Sequence, residues 1–489
     1  MDKPNTGTDY SRKWLVMISV AMGSFLSTID GSIVNVALPI LQRELRADFA
    51  LIQWVVLAYM LVLVTLILSI GRLADMIGKK NIFMSGYVVF TLGSLLCGVS
   101  QTAGMLIVFR GFQAIGAAMM MALSLAIITE AFPPEERGKA IGIMGSLVSI
   151  GLISGPTIGG LILNSFTWHW IFFVNLPIGV IGTLMVFRFV PDIRPAGGQR
   201  FDIPGALTLF VALLSLLLAI TFGEDAGYTS APILALFTIA VVFFTAFLAI
   251  ERRTDQPMMD LSMFSNGLFS INLITGFLVF ISSSGVTLLM PFFLQNVLGY
   301  SPTTAGLMLA TVPACVGIIA PFAGSLSDRF GSRPLTVVGL GILLAGFVGV
   351  TTLDQHTSMW NYILHFIPIG IGTGFFQSPN NSAIMGAAPR HRLGVASGLL
   401  SITRTMGQTT GIAVLGALWA SLVGSLGGDI DQATLANAGI QVAALRQTLY
   451  VVVALISVAF LLSIWALVQD RKRRALERAA KQIADQTLE

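Results

Sequence analysis

Two ten-residue stretches, GRLADMIGKK at 71–80 and GSLSDRFGSR at 324–333, each follow a long apolar run and lie 253 positions apart. Two further pairs of stretches repeat at a spacing of 256 positions: AIGAA at 114–118 resembles GIGTG at 370–374, and a Gly-x-Ala-x-Gly pattern at 138–142 matches one at 394–398. Three matches in the same order, at a nearly fixed offset, predict an internal duplication. We therefore expect the chain to contain two equivalent halves.

The composition predicts an all-α polytopic membrane protein. The 489 residues are 55% hydrophobic, and the mean hydropathy is +0.84. Only 11% are charged, against roughly 25% in an average soluble domain. This excludes a soluble enzyme, a disordered protein and a nucleic-acid binder. Fourteen apolar runs are each long enough to cross a bilayer, near 14–38, 51–70, 81–99, 105–130, 139–163, 168–190, 204–221, 231–250, 268–292, 303–323, 335–352, 358–380, 396–422 and 447–469.

The basic residues predict the orientation in the membrane. An even number of spans puts both termini on one side. Of the 28 Lys and Arg residues, 23 lie on that side, and only Arg43, Arg46 and Arg446 lie on the other, with Arg110 and Arg404 inside apolar runs. Because cytoplasmic loops collect Lys and Arg, this distribution predicts a multi-pass protein of a bacterial cytoplasmic (inner) membrane with both termini in the cytoplasm.

The repeat also predicts the domain organisation. Spans one to six and nine to fourteen would form equivalent six-helix bundles, with spans seven and eight inserted between them. The predicted units are an N-terminal bundle at 1–192, a two-helix insert with flanking loops at 193–262, a C-terminal bundle at 263–470 and a cytoplasmic basic tail at 471–489. Transporters built from such repeats bind substrate between the halves, near the middle of the membrane.

A few charged residues fall inside the predicted spans. Asp30 lies about 17 residues into the first span, and an intramembrane carboxylate is a functional candidate by default. Arg110 lies a few residues into the fourth span, where a guanidinium needs a partner or water. The structural alternatives are a polar tie between helices for Asp30, snorkelling to the outer interface for Arg110, and a helix-end charge for Glu130.

Two glycine patterns have a direct physical meaning. Gly151, Gly155 and Gly159 are spaced by four, so they share one helix face and allow another helix to approach closely. Gly71 and Gly78 allow close approach and unusual backbone angles in a short connection between two helices. A tight basic turn that follows the positive-inside rule is the simpler interpretation of that connection.

Four of these motifs resemble a known family. The sequence is similar to the fourteen-span drug:proton antiporters of the major facilitator superfamily over about residues 14–470. The resemblance lies in the 71–80 stretch, in LSTIDGSIVNVALP at 26–39, in RGFQAIG at 110–116 and in GLISGPTIGG at 151–160. It implies the major facilitator fold, with two six-helix bundles plus two inserted helices.

The resemblance also implies roles for individual residues. It implies a proton-relay or carboxylate-organising role for Arg110, which together with the candidate acids Asp30 and Glu130 forms the predicted proton-coupling set. It implies a conformational latch, which closes one face of the protein, formed by Gly71, Asp75, Gly78, Arg137, Asp328 and Arg329. The stripe of Gly151, Gly155, Pro156 and Gly159 would seal span five against the opposite bundle and would mark an exporter. Candidate residues of the substrate cavity are Asn35, Tyr59, Gln113 and Arg404. Snorkelling to the cytoplasm is an equal alternative for Arg404.

The predicted function is proton-coupled export of amphipathic drugs or similar small molecules by alternating access. The partners are then the small amphipathic substrate, protons and membrane lipid, with no nucleic acid, and the protein is expected to act as a monomer. The energy source is the proton gradient, so no cofactor or metal is expected. The alternatives are a dedicated exporter of one metabolite, lipid or antibiotic, and a passive facilitator or receptor. A membrane-embedded enzyme is disfavoured, because the four His residues do not cluster and the spans lack paired acids.

Overall fold

The structure is a computed structural model that describes residues 12–133, 136–192, 202–227, 229–254, 261–387, 393–428 and 433–486. Every regular element in these ranges is a helix, which confirms the predicted all-helical class. The α-helices are α1 (Lys13–Glu44), α2 (Phe49–Ile77), α3 (Lys79–Gly98), α4 (Ala103–Ala131), α5 (Arg137–Ser165), α6 (Trp170–Phe173), α7 (Asn175–Phe189), α8 (Ile203–Ala226), α9 (Ala231–Glu251), α10 (Gly267–Phe292), α11 (Pro302–Leu309), α12 (Thr311–Phe330), α13 (Ser332–Val350), α14 (Met359–Ala387), α15 (Leu393–Ser425) and α16 (Ala438–Gln486).

Twelve helical segments of the described residues are long and apolar enough to cross a membrane. These segments coincide with twelve of the fourteen predicted spans. Predicted spans five and twelve are not among them, and their positions are occupied by α5 and α14. Predicted spans six and ten are each interrupted, at Val174 between α6 and α7 and at Ala310 between α11 and α12. The connections 193–201 and 255–260, where the predicted domain boundaries fall, lie outside the described residues. The backbone of the predicted tail continues α16 as far as Gln486.

Contacts between helix ends define two faces of the molecule. The Lys13 face is the one where α1 begins, and there Lys13 pairs with Glu136 at 2.6 Å and Arg333 with Asp470 at 3.3 Å. The Glu44 face is the one where α1 ends. Near it Thr434 donates to Gln42 at 2.8 Å. These contacts join chain segments at both faces.

The repeated stretch at 71–80 contains a one-residue turn. Helix α2 ends at Ile77 and α3 begins at Lys79, so Gly78 alone turns the chain, with φ of 103°. Gly331 does the same between α12 and α13, with φ of 85°. Both angles lie in the region that only glycine adopts readily. Gly71 was also predicted to require close approach or an unusual backbone angle. It is helical instead, and a Cβ there would meet nothing within 4 Å.

Close helix packing repeats in the two halves. A Cβ at Gly116 on α4 would collide with the backbone of Gly86 and Phe90 on α3. A Cβ at Gly372 on α14 would collide with the backbone of Gly339 and Leu343 on α13. The α4 and α14 positions differ by 256 and the α3 and α13 positions by 253, as in the sequence repeat. The α3–α4 and α13–α14 pairs therefore pack in the same way.

The two halves meet along two seams. Helix α5 packs on α11, where a Cβ at Gly160 would lie 2.6 Å from the carbonyl oxygen of Pro302. Helix α15 packs on α2, where a Cβ at Gly416, 256 positions later, would lie 2.6 Å from Oε1 of Gln53. Helices α8 and α9 form a pair, and Leu217 of α8 packs in one apolar cluster with side chains of both α2 and α15. Helix α8 therefore covers the α2–α15 seam, with α9 packed on α8.

The repeated glycine contact predicts matched effects on stability. Gly116→Ala and Gly372→Ala should each lower the stability of the purified protein by roughly 1–3 kcal/mol, because the new methyl group must displace backbone. Gly104→Ala is the control, because a Cβ there would meet nothing within 4 Å. It should change stability by less than about 0.5 kcal/mol. Denaturant titration in mixed micelles gives the comparison, and a neutral Gly116→Ala would contradict the packing described.

Candidate functional site

A buried ion pair lies inside the first half of the protein. Asp30 on α1 is 0% exposed and Arg110 on α4 is 1% exposed. Nη1 of Arg110 donates to Oδ2 of Asp30 at 2.5 Å. The guanidinium therefore meets a carboxylate within the protein and does not snorkel to the interface.

Polar side chains from three helices complete the environment of the Asp30 carboxylate. Nε2 of Gln113 and Nδ2 of Asn175 each donate to Oδ1 of Asp30 at 2.9 Å. The same two amides also donate to Oγ of Ser94, at 2.7 and 3.3 Å. Asp30, Ser94, Arg110, Gln113 and Asn175 are named the Asp30 cluster below. All five are at most 1% exposed.

Arg110 makes further contacts that hold its side chain in place. Its Nη1 also donates to Oε1 of Gln113 at 2.7 Å, and its Nε donates to the carbonyl oxygen of Val55 at 3.2 Å. The ring of Tyr59 lies against the guanidinium, with 4.2 Å between the Cζ atom and the ring centroid. Such cation–π contact stabilises a desolvated cation. Helix α2 therefore takes part in the site through one carbonyl group and one ring.

Close packing explains why these residues meet. Arg110 and Gln113 are three residues apart on α4, so they share a helix face. A Cβ at Gly93 would lie 2.6 Å from the Cα of Gln113, so the glycine lets α3 approach α4 and places Ser94 beside the Gln113 amide. Asn175 is the first residue of α7, after the interruption at Val174.

Two buried polar atoms at the site have no hydrogen-bond partner among the described residues. These are the Tyr59 hydroxyl oxygen and Oδ1 of Asn175. A buried polar group without a partner costs free energy. The polar groups of the site are therefore only partly satisfied by the protein, and Oδ1 of Asn175 in particular is an acceptor.

The predicted site residues separate into two places. Asp30, Arg110 and Gln113 come together with Tyr59. Glu130 does not join them, because it lies 20 residues beyond Arg110 on α4, which is about 30 Å along a helix. There, at the Lys13 face, it forms an ion pair with Lys79. Sequence reasoning missed Ser94 and Asn175, for which the only signal was a small polar residue within an apolar run.

The remaining predicted cavity residues lie outside the Asp30 cluster. Asn35 is half-buried on α1, five residues beyond Asp30. Arg404 is half-buried on α15, and its Cζ atom lies 5.9 Å from the ring centroid of Phe280. Of the predicted latch, the side chains of Asp75, Arg137 and Asp328 lie outside those that the structure describes. Arg329 is exposed at the Lys13 face.

The glycine stripe of α5 faces a different helix from the one expected. A Cβ at Gly151 would lie 3.3 Å from Phe25, and Gly155 and Gly159 lie against Ser32 and Ile33, so the stripe packs on α1 of the same half. The expectation that this stripe faces the opposite bundle is therefore wrong for its three glycines but holds for the contact of Pro156. Pro156 and Gly160, which are rotated by one position around α5, form the contact with α11.

Comparison with known proteins agrees with this architecture. The family model of the Major Facilitator Superfamily matches residues 20–412 and 273–487. The Riboflavin transporter RibZ of Clostridioides difficile is 36% identical over 84% of this chain and 89% of its own length. The Multidrug resistance protein Stp of Mycobacterium tuberculosis is 36% identical over 83% of this chain and 76% of its own length.

The solved structures agree in fold. A bacterial homolog of the human lysosomal transporter Spinster, in an inward-facing and unoccupied conformation, superposes with a TM-score of 0.64 over 93% of this chain and 97% of that chain, at 18% identity. The family match and these relatives, together with the apolar helices, define a multi-pass membrane transporter and not an enzyme. The chain belongs to the Major Facilitator Superfamily.

The ion pair predicts a non-additive mutation cycle. Asp30→Asn should destabilise the protein by about 3–5 kcal/mol, because it leaves the Arg110 guanidinium buried without a counter-charge. Adding Arg110→Gln should restore part of this loss, since no charge then remains in the site. The measurement is denaturant titration of the two single variants and the double variant.

Asp48→Asn serves as the control for this cycle. Asp48 caps α2 through a hydrogen bond from the Leu51 amide, and asparagine caps a helix equally well. Additive losses in the cycle would show that the two side chains do not stabilise each other, contrary to the 2.5 Å contact.

Proposed function

We propose that this protein is a proton-coupled exporter of amphipathic small molecules with fourteen membrane spans. The observation that carries the proposal is the buried Asp30–Arg110 pair with its hydrogen-bonding amides. A carboxylate inside a membrane protein costs free energy, so its presence marks a candidate functional site. The fourteen-span count is supported by α5 and α14, which occupy the positions of the fifth and twelfth predicted spans.

Protonation of Asp30 is the coupling step in this proposal. A proton on the carboxylate removes the charge that balances Arg110, and it turns one acceptor oxygen into a donor. Gln113 and Asn175 both present donors to Oδ1, so the hydrogen bonds of the site must rearrange. The protonated and charged forms of Asp30 therefore favour different arrangements of α1, α4 and α7.

Helix α1 links this site to the opposite half. The carbonyl oxygen of Val36 accepts a hydrogen bond from Nε2 of Gln295 at 3.0 Å, and Gln42 accepts one from Thr434 at 2.8 Å. Across the other seam, Thr303 donates to the carbonyl oxygen of Gly160 at 3.0 Å. These bonds close the two halves toward the Glu44 face. A shift of α1 on protonation would loosen two of the three.

The orientation follows from the charge distribution. In the predicted fourteen-span topology, 23 of the 28 Lys and Arg residues fall on the side of the Lys13 face. The positive-inside rule therefore supports a cytoplasmic Lys13 face in a bacterial inner membrane. In this orientation the bonds between the halves close the protein to the outside, and cargo would enter from the cytoplasm or the inner leaflet.

The relatives support two forms of the same function. The similarity to Multidrug resistance protein Stp supports an exporter of varied amphipathic compounds. The equal identity to Riboflavin transporter RibZ favours a second candidate, a dedicated transporter of one compound. Both candidates use the same alternating-access mechanism, and the proton gradient is the energy source in each.

Loss of the titrating group should uncouple transport. A drug-susceptibility panel in an efflux-deficient host identifies a cargo, and proteoliposomes with an imposed pH gradient then measure its uphill transport. Asp30→Asn should abolish uphill transport because asparagine cannot carry the proton, while downhill exchange of the cargo should persist. Asp30→Glu should keep partial activity. If Asp30→Asn folds poorly, the Asp30→Asn/Arg110→Gln double variant tests the same point.

A control variant and one contradicting result complete this transport test. Asp48→Asn should transport as the unmodified protein does. Full proton-driven transport by Asp30→Asn would show that Asp30 is only a structural tie between helices.

Cysteine labelling should report the proposed orientation. In a background with Cys97 and Cys315 replaced by alanine, single cysteines are placed at Asp354, Asp225 and Arg329. A membrane-impermeant maleimide should label positions 354 and 225 in intact cells, because both are predicted to be external. Position 329 should react only after permeabilisation. A cysteine at 225 that is protected from outside and reactive from inside would reject the fourteen-span topology.

A further inference from the structure

The two arginines inside the predicted spans have opposite environments. Arg110 is paired with Asp30 and hydrogen-bonded to two other groups. Arg404, in the predicted thirteenth span, pairs with no carboxylate of the described residues. Its contact is the ring of Phe280, at 5.9 Å from Cζ to centroid. The Asp30–Arg110 pair has no net charge, whereas the positive charge of Arg404 is balanced by no carboxylate among the described residues.

The position of Arg404 on its helix places it on the interior side. Ile402 and Met406 of α15 pack with Leu61 and Val64 of α2 and with Leu217 of α8. Residue 404 is two positions from each, which is a rotation of about 200° around a helix. Arg404 therefore points away from the α2–α8 side and toward α10, where Phe280 lies.

The surroundings of Arg404 combine polar and apolar groups. Gln408 lies one turn further along the same face of α15 and is half-buried. Phe280 is half-buried on α10, the helix that contacts α1 across the interior. Gly31 on α1 is half-buried, and a Cβ there would meet nothing within 4 Å, so open space lies beside the middle of α1. A cation and an amide thus lie on one face of α15, and an aromatic ring of α10 lies beside the cation.

This arrangement matches one kind of ligand. A guanidinium that is partly withdrawn from water and has no counter-charge is costly, so an anion that reaches it gains more than it would in water. The planar fork of arginine binds carboxylate-like groups through two parallel hydrogen bonds. An aromatic ring beside the cation suits the flat apolar part of such a ligand.

We propose that Arg404 and Phe280 bind the acidic group and the adjoining ring of the cargo, so that the cargo is an amphipathic organic acid. This inference rests on the proposed export function and narrows its substrate class. Neutral compounds of the same shape then bind weakly, and organic cations are excluded by repulsion from Arg404.

A charge-matched pair of probes tests the inference. Binding of 1-pyrenebutyrate and of its neutral amide, 1-pyrenebutyramide, is measured by pyrene emission with the protein in phosphatidylcholine nanodiscs, against empty nanodiscs. The carboxylate should bind at least about tenfold more tightly than the amide, as a charge-assisted hydrogen bond predicts. Arg404→Gln should remove this preference, and Arg404→Lys should keep part of it.

Two controls make the binding result specific. Phe280→Leu should weaken both probes by a similar factor, because it removes the ring contact and not the charge. Arg43→Gln should leave the preference unchanged, since Arg43 bonds to the Pro39 carbonyl at the end of α1. Equal binding of the two probes, or a preference that survives in Arg404→Gln, would overturn the inference and leave Arg404 as a residue that snorkels to water.

The lipid headgroup is the other source of an anionic group, and it counts against the inference. If phosphatidylglycerol added to the nanodiscs displaces the carboxylate, the site belongs to lipid. The two experiments also distinguish failure of this inference from failure of the proposed function. Probe discrimination without proton-driven transport would contradict the function alone, whereas proton-driven transport without discrimination would contradict the inference alone.

Discussion

A charge placed inside a membrane must be balanced, and the first half of this protein is organised around that constraint. Asp30 and Arg110 balance each other, and both are shielded from solvent. Two amides donate to the Asp30 carboxylate, a backbone carbonyl accepts from Arg110, and the Ser94 hydroxyl accepts from both amides. Five helices must be in place at once for this to occur. The pair therefore couples the packing of the bundle to the charge of a single carboxylate.

The second half repeats the helix packing of the first half but not its buried ion pair. The close contact of Gly93 with Gln113 recurs as a contact of Gly346 with Ile369. The residue that corresponds to Arg110 by the same 256-residue offset is Phe366, which stacks on Tyr362. Duplication preserved the glycines, because the helices cannot approach without them. It did not preserve the polar side chains, so the ion pair belongs to one half only.

The repeat, the spans and part of the site were predictable from the sequence because each rests on local information. Glycines at a fixed offset, apolar runs, and an acid and a base inside those runs are all visible along the chain. Ser94 and Asn175 were not predictable, because small polar residues also occur where helices simply pack. The partner of Glu130 and the helix that faces Gly155 depend on rotation and depth, which periodicity does not give.

The division between the halves has a mechanical consequence for the proposed transport. The proposed proton site lies in the first half, whereas Arg404 lies in the second. Helix α1 carries both Asp30 and the bonds to the opposite half at Val36 and Gln42. Cargo that touches both halves is therefore held only while the halves keep one relative position. A change of charge at Asp30 acts on α1, and α1 is bonded across the boundary. Coupling then requires no direct contact between proton and cargo, because both act on the position of one helix.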